Sequence, residues 1–371
     1  MKPQVHGFLS IILILGCLAC ENNSDDLADT LIEEPDSDQN PDSSLYFPGT
    51  TTDEWQIISP QALGWNANAI QDLIDFLEEK DTKAFVILKD GKIAMEEYFG
   101  TFKQDSLWYW ASAGKTLTAF TVGIALEKQL LDLNDKTSDY LGQGWTSAPP
   151  EKEDLITIKN QLTMTSGLKD MAFDCVTPDC LEYEGDANSR WAYHNGPYTL
   201  LEGVVSEAAG TSFSAFFNSN LRDRIGMEGF WLSTNGLNNV YFSTARSMAR
   251  FGLLNLNNGM WNETTILGDM EYISEMKNTS QELNKSYGYL WWLNGKESYM
   301  APSLQLVFNG SLIPNAPADT YAGLGKNDQK LYVVPSKGLV IVRMGEDAAE
   351  NLLGPSSFDN ALWEKLGNLI N

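Results

Sequence analysis

Ser112-Ala113-Gly114-Lys115 places a serine hydroxyl three residues ahead of a lysine. At the start of a helix this spacing puts both side chains on one face, within reach of each other. Serine attacks a carbonyl only once a base takes its proton. Lysine serves as that base where burial or a nearby positive field favours its neutral form. A helix N-terminus supplies such a field, together with backbone N–H groups that hold an oxyanion. The chemistry these residues point to is acyl transfer through a serine ester. Ser166-Gly167-Leu168-Lys169 and Ser274-Glu275-Met276-Lys277 fit the same pattern, so context decides. Only Ser112 follows an aromatic approach, Trp108-Tyr109-Trp110, and opens an apolar helix with Ala113, Leu117, Phe120 and Ile124 on one face. Ser166 sits at a Ser-Gly turn, and Ser274 lies in a polar stretch.

Other chemistries lack their parts. The chain has no Gly-x-Ser-x-Gly turn and no Walker-type phosphate loop. Of its 2 histidines only His194 lies beyond the leader, too few for a histidine-rich zinc cluster, and nothing suggests another cofactor. With 50 acidic against 25 basic residues the net charge is -25, which opposes a nucleic-acid partner.

The elements that must position Ser112 follow from periodicity. Ile70, Leu73, Ile74 and Leu77 recur at helical spacing within residues 66–80. Two short strands, 84–89 and 92–98, flank Asp90-Gly91, a strong hairpin signal. The stretch from 125 to 285 reads as mostly helical, with loops at 142–154 and 174–189. Strands return at 330–334 and 339–343 around a Pro-Ser-Lys-Gly turn, and a helix closes the chain over 358–370. Strands from both chain ends with helices between them predict an α/β (α+β) fold: one antiparallel sheet flanked by helices, carrying an inserted all-helical lobe, with the active site in the cleft between them.

The N-terminus reads as processing signal and tether. Lys2 precedes a short apolar run, Phe8 to Leu18, well under the roughly 20 residues that a membrane span needs. Leu18-Ala19-Cys20 looks like a bacterial lipoprotein signal with Cys20 the acylated residue, and Cys17 is a competing site. Residues 1–20 are therefore the expected signal peptide, and residues 21–54, acidic and without Lys or Arg, an expected disordered spacer. The catalytic domain is expected over 55–371. Such a chain is exported, periplasmic or at the cell surface, with the membrane as partner through its lipid. In an oxidising compartment Cys175 and Cys180, which bracket a four-residue loop, are expected to form a local disulfide.

Several segments in order resemble the β-lactamase-related serine hydrolases, which include class C β-lactamases, DD-peptidases, family VIII esterases and aminohexanoate-oligomer hydrolases. Ser112-x-x-Lys115 matches the first motif. Tyr193-His194-Asn195 matches the second, Tyr-x-Asn. Tyr321-Ala322-Gly323 aligns with the third, [Lys/His/Trp]-x-Gly on an edge strand. Leu162 to Leu168, Ser243 to Arg246, Tyr287 to Trp292 and Tyr332 to Pro335 also look familiar. The resemblance implies a β-lactamase/transpeptidase-like fold with Ser112 as nucleophile and Lys115 accepting or relaying its proton. It also implies that Tyr193, as phenol or phenolate, shuttles a proton to the leaving group. Asn195 would orient Lys115 and the substrate, and the backbone N–H groups of Ser112 and Leu324 would form the oxyanion hole.

The third motif departs from the pattern, with uncharged Tyr321 where β-lactamases and DD-peptidases carry a lysine that holds the substrate carboxylate. This favours an ester or another amide as the small-molecule substrate, with Lys326 or Arg190 as substitute cations. A β-lactamase or peptidoglycan DD-carboxypeptidase is the rival reading, and an inactive binding lipoprotein of the same fold a third. His194 reads as a packing neighbour. Trp108, Trp110, Trp191, Trp291 and Trp292 fall beside the motifs and predict an aromatic-lined cleft, with two of the five touching substrate.

Overall fold

The computed structural model describes residues 45–171, 175–234, 238–349 and 354–370. The expected signal peptide, with Cys17 and Cys20, and the spacer as far as residue 44 lie outside the described residues. Residues 45–54, expected to belong to the spacer, are instead bound to the domain. The Tyr46 N–H donates to the Asp90 carbonyl at 3.0 Å, Phe47 packs edge-on against Trp261, and Arg250 donates to the carbonyls of Gly49 and Thr52. The folded unit therefore begins ahead of Trp55, because the uncharged stretch around Phe47 brings enough apolar surface to be held.

Helix α1 (Ile70–Glu79) follows a short 3-10 turn whose Asn66 side chain caps the Asn68 N–H. The hairpin β1 (Thr82–Lys89) and β2 (Lys92–Tyr98) turns at Asp90-Gly91, both at positive φ, as an Asp-Gly turn of this kind requires. Gly91 has a second reason to lack a side chain, since a Cβ there would lie 1.9 Å from the Tyr46 carbonyl oxygen.

The chain then forms β3 (Trp108–Tyr109), a 3-10 turn (Ala111–Gly114) and helix α2 (Lys115–Glu127). Helix α3 (Asn195–Ala209) follows in the middle region. Strands β4 (Phe230–Thr234) and β5 (Asn238–Ser243) lead into helix α4 (Ala245–Leu256). The last elements are β6 (Trp292–Leu293), β7 (Tyr321–Gly325), β8 (Gln329–Val334), β9 (Leu339–Gly345) and helix α5 (Ser357–Ile370).

The main sheet has six strands in the order β2-β1-β9-β8-β7-β6, each pair antiparallel, so strands from both chain ends lie side by side as expected. Its register divides the two faces. Leu331 pairs with Val342 and Val333 with Val340, and this face receives α4, where a Cβ at Gly252 would collide with Val340. Lys330, Tyr332, Ile341 and Arg343 point to the other face, covered by α5: Lys330 and Tyr332 both bond Asp359, and Tyr332 meets Trp363 edge-on. The expectation of a single sheet needs correction. A three-stranded antiparallel sheet, β3-β5-β4, stands in the region read as helical. The aromatic and branched apolar runs Phe230-Trp231-Leu232 and Val240-Tyr241-Phe242 suit strands, but they are short and one member of the sheet, β3, comes from far away in sequence.

One buried group in α3 is costly. Glu202 is 9% exposed, its Oε1 has no hydrogen-bond partner among the described residues, and burial pushes its carboxyl up to about 8. An unfolded-chain glutamate titrates near its ordinary value of about 4.3. Between these values folding takes up a proton, so stability falls as pH rises through this window, and the penalty is complete above it. Glu202→Gln should therefore be more stable than the wild type at pH 8.5, by on the order of 5 kcal/mol in denaturant unfolding. The gap should close toward pH 5. A gap of equal size at both pH values would show that the Glu202 proton is not responsible.

Candidate active site

Trp110 fixes the approach to Ser112. Its backbone N–H donates to the Tyr241 carbonyl at 2.8 Å, and its indole N–H donates to the Ser243 hydroxyl at 2.7 Å. The ring meets Tyr241 edge-on and is fully buried. Ala111 then takes a φ of 46°, the left-handed region that a residue with a Cβ adopts only under constraint. This reversal turns the chain into the 3-10 turn that holds Ser112. The nucleophile candidate thus lies in the turn before α2 rather than in the helix itself. As an early residue of a helical turn, Ser112 has no intrahelical acceptor for its N–H.

Lys115, the first residue of α2, is 1% exposed and reaches back so that its Nζ stands 2.9 Å from Ser112 Oγ. The same Nζ lies over two aromatic faces, 4.2 Å from the Tyr198 centroid and 4.9 Å from that of Tyr193. Tyr193 is itself hydrogen-bonded to Ser112, so one hydroxyl meets both side groups. Burial pushes the Tyr193 phenol above its ordinary range, and the bond from Ser112 only partly offsets this. The phenol, not the phenolate, is therefore its resting form at neutral pH.

Asn195 opens α3 and is buried beside Tyr193, with His194 as the extended residue before it. Gly196 lets a loop close over this segment, since a Cβ there would lie 2.4 Å from the Cys175 carbonyl oxygen. Cys175 is joined to Cys180 by a disulfide, with 6.1 Å between their Cα atoms, so the expected staple rests on the second motif.

β7 supplies the third segment. Gly323 and Gly325 face the nucleophile turn, where a Cβ on Gly325 would lie 2.3 Å from the Trp110 carbonyl oxygen and one on Gly323 3.2 Å from Thr116 Cγ2. Strand and turn touch backbone to backbone because these residues have no side chains. β6 pairs with β7 only at Tyr321 and Ala322, which leaves the edge beyond them open. The Thr320 carbonyl accepts from Asn294 N–H toward β6. Period-two alternation puts the backbone N–H of Leu324 on that same edge, past the end of β6.

Several expectations are not met. Tyr321 does not join the group around Ser112. Its hydroxyl donates to the Asn255 carbonyl at 2.9 Å, its ring meets Trp291 edge-on, and Lys277 Nζ lies over it. Arg190 is no free cation, because its guanidinium donates to Asp170 and to the Leu168 carbonyl. Lys326 is exposed on the turn directly after β7. The tryptophans do not line an open cleft: Trp110, Trp191, Trp291 and Trp292 are each at most 2% exposed, and only Trp108 is half-buried. Trp191 and Trp292 instead form a wall behind the Tyr193 ring, with Trp292 stacked on it at 5.7 Å.

The competing Ser-x-x-Lys stretches do not pair internally. Ser166 Oγ accepts from the Leu168 N–H while Lys169 meets Glu182, and Lys277 bonds Asn255 and Asn258. Tyr198 and Tyr287 are the site neighbours that sequence reasoning missed. Tyr198 had a signal in its position, three residues past Asn195 on the same helix face. A cavity of about 540 Å³ lined by Trp65, Lys89, Leu256 and Lys337 lies at the opposite end of β8 from Gln329, away from this chemistry.

A family model described as beta-lactamase matches residues 74–354. The chain is 22% identical over 321 residues to the 6-aminohexanoate-dimer hydrolase of Paenarthrobacter ureafaciens, covering 75% of this chain and 76% of that one. Among solved structures it is similar to a penicillin binding protein from Bacillus halodurans, with a TM-score of 0.58 at 17% identity over 79% of this chain and 99% of that one. It is also similar to a family VIII carboxylesterase, with a TM-score of 0.60 at 15% identity over 80% of this chain and 96% of the other. These two structures share its fold. The chain belongs to the beta-lactamase family and is, with it, a serine hydrolase.

The contact between β7 and the nucleophile turn is directly testable. Gly325→Ala should push the turn away from the strand, costing roughly 1–3 kcal/mol of stability. Residual folded protein should react poorly at Ser112. Unchanged melting temperature and unchanged reactivity would show that the strand and turn accommodate a methyl group.

Proposed function

We propose that this member of the beta-lactamase family cleaves an ester or amide bond through an acyl-enzyme on Ser112. The observation that carries this reading is the meeting of Lys115 Nζ, at 2.9 Å, and the Tyr193 phenol on one serine hydroxyl. Ser112 Oγ attacks the carbonyl carbon as Lys115 takes its proton. The backbone N–H groups of Ser112 and Leu324 receive the oxyanion. Tyr193, resting as the phenol, passes a proton to the leaving oxygen or nitrogen and is recharged from Lys115. Water then follows the same path in reverse and frees the acid. Asn195, buried at the head of α3, orients the groups around Lys115.

The substrate class follows from charge. Tyr321 is neutral and turned to Asn255, and Arg190 is held by Asp170, which supports uncharged esters or amides over carboxylate-bearing lactams or D-alanyl peptides. Lys326 alone favours the second reading, a β-lactamase or DD-carboxypeptidase, because it places an exposed cation next to the open edge of β7. Export, a lipid on Cys20 and an acidic tether would set the enzyme in the cell envelope.

Exposure to a fluorophosphonate followed by intact-protein mass spectrometry should give one adduct on the wild type and none on Ser112→Ala. Lys115→Ala should slow short-chain ester hydrolysis by about 10²–10⁴-fold, the range for loss of a general base. A wild type that takes no adduct would sink the acyl-serine reading. Rapid hydrolysis of a chromogenic cephalosporin would move the assignment to the second reading.

A further inference from the structure

Tyr287 is 0% exposed, in the segment that turns into β6, where it bridges to Trp292. Its ring meets Trp292 edge-on at 5.0 Å, Trp191 at 5.4 Å and Tyr193 at 6.2 Å. The ring therefore has a packing reason, as part of the wall that holds Tyr193 upright. Its hydroxyl has none. That oxygen is buried and has no hydrogen-bond partner among the described residues. A buried hydroxyl without a partner is a net cost to folding, and phenylalanine would fill nearly the same volume without it.

The surroundings suggest what the hydroxyl is for. The charges it would feel are those of Tyr193 and Tyr198, the two tyrosines whose faces lie under Lys115 Nζ. Burial and these neighbours hold the Tyr287 phenol well above its ordinary range, so it keeps its proton at neutral pH. It is thus an O–H donor with no acceptor among the described residues, carried on a ring whose centroid lies 6.2 Å from that of the phenol that must lose and regain a proton during turnover.

We propose that Tyr287 is a positioning residue that acts through Tyr193: its ring fixes the Tyr193 ring, and its hydroxyl stabilises negative charge developing on the Tyr193 oxygen as that proton leaves. This rests on the assignment of Ser112, Lys115 and Tyr193 as the reacting set. No bond forms or breaks at Tyr287, and its proton stays on its own oxygen throughout. The donor matters whenever the Tyr193 oxygen carries negative charge: in its own ionisation, and in the transition state where bond formation at Ser112 is coupled to proton movement through Tyr193.

Tyr287→Phe tests this, because it removes the oxygen and keeps the ring. Fluorophosphonate labelling rate and ester turnover should each fall about tenfold or more, with KM changed less than about twofold. The limb of the pH–rate profile that reports Tyr193, identified by its loss in Tyr193→Phe, should move to higher pH, since Tyr193 ionises less readily without the donor. Melting temperature should stay level or rise. Wild-type rate and an unmoved pH profile in Tyr287→Phe would overturn the proposal while leaving the hydrolase reading intact. A rate loss that follows a fall in melting temperature, with the pH profile unmoved, would overturn it in favour of a structural role. A wild type that takes no label would overturn the hydrolase reading and this proposal together.

Discussion

A buried amine must be given partners where it lies, and Lys115 is the buried amine around which this site is built. At 1% exposure its Nζ has lost nearly all contact with solvent, which is expensive unless partners replace water. The Ser112 hydroxyl and the faces of Tyr193 and Tyr198 are among those partners. The same contacts bring the serine oxygen, the amine and the phenol together. Stability of the lysine and assembly of the reacting groups are in this sense one requirement.

The scaffold meets it by bringing backbones unusually close. Ala111 at positive φ reverses the chain just before Ser112, and Trp110 anchors that reversal to β5 through main-chain and indole bonds. From the other side β7 lies against the turn, with glycine at 323 and 325. Because β6 stops at the level of Ala322, β7 keeps an edge beyond it that β6 does not cover. The short length of β6 is what leaves that edge open beside the nucleophile turn.

The aromatic residues work mainly as structure. Eleven tryptophans suggested a cleft for apolar substrates, yet those beside the motifs are mostly buried. Trp191, Trp292 and Tyr287 surround the Tyr193 ring and leave it little freedom to rotate. A phenol held by packing keeps its oxygen within reach of the serine.

The sequence by itself determined the local elements and the pairing that depends on them. The spacing of Ser112 and Lys115 placed them together, because three residues in a helical turn bring side chains onto one face whatever the rest of the chain does. Asp90-Gly91 specified its hairpin, and the apolar strands near both ends specified the main sheet. The order of the motifs also identified the family. Only the tertiary structure decided which further groups surround that pair. It turned Tyr321 toward Asn255, closed Arg190 on Asp170, added the small sheet behind Trp110, and set Tyr198 and Tyr287 around Lys115 and Tyr193. Those relations join segments many turns apart, and their geometry is fixed by how strands and helices pack, which neighbouring residues in the chain do not encode.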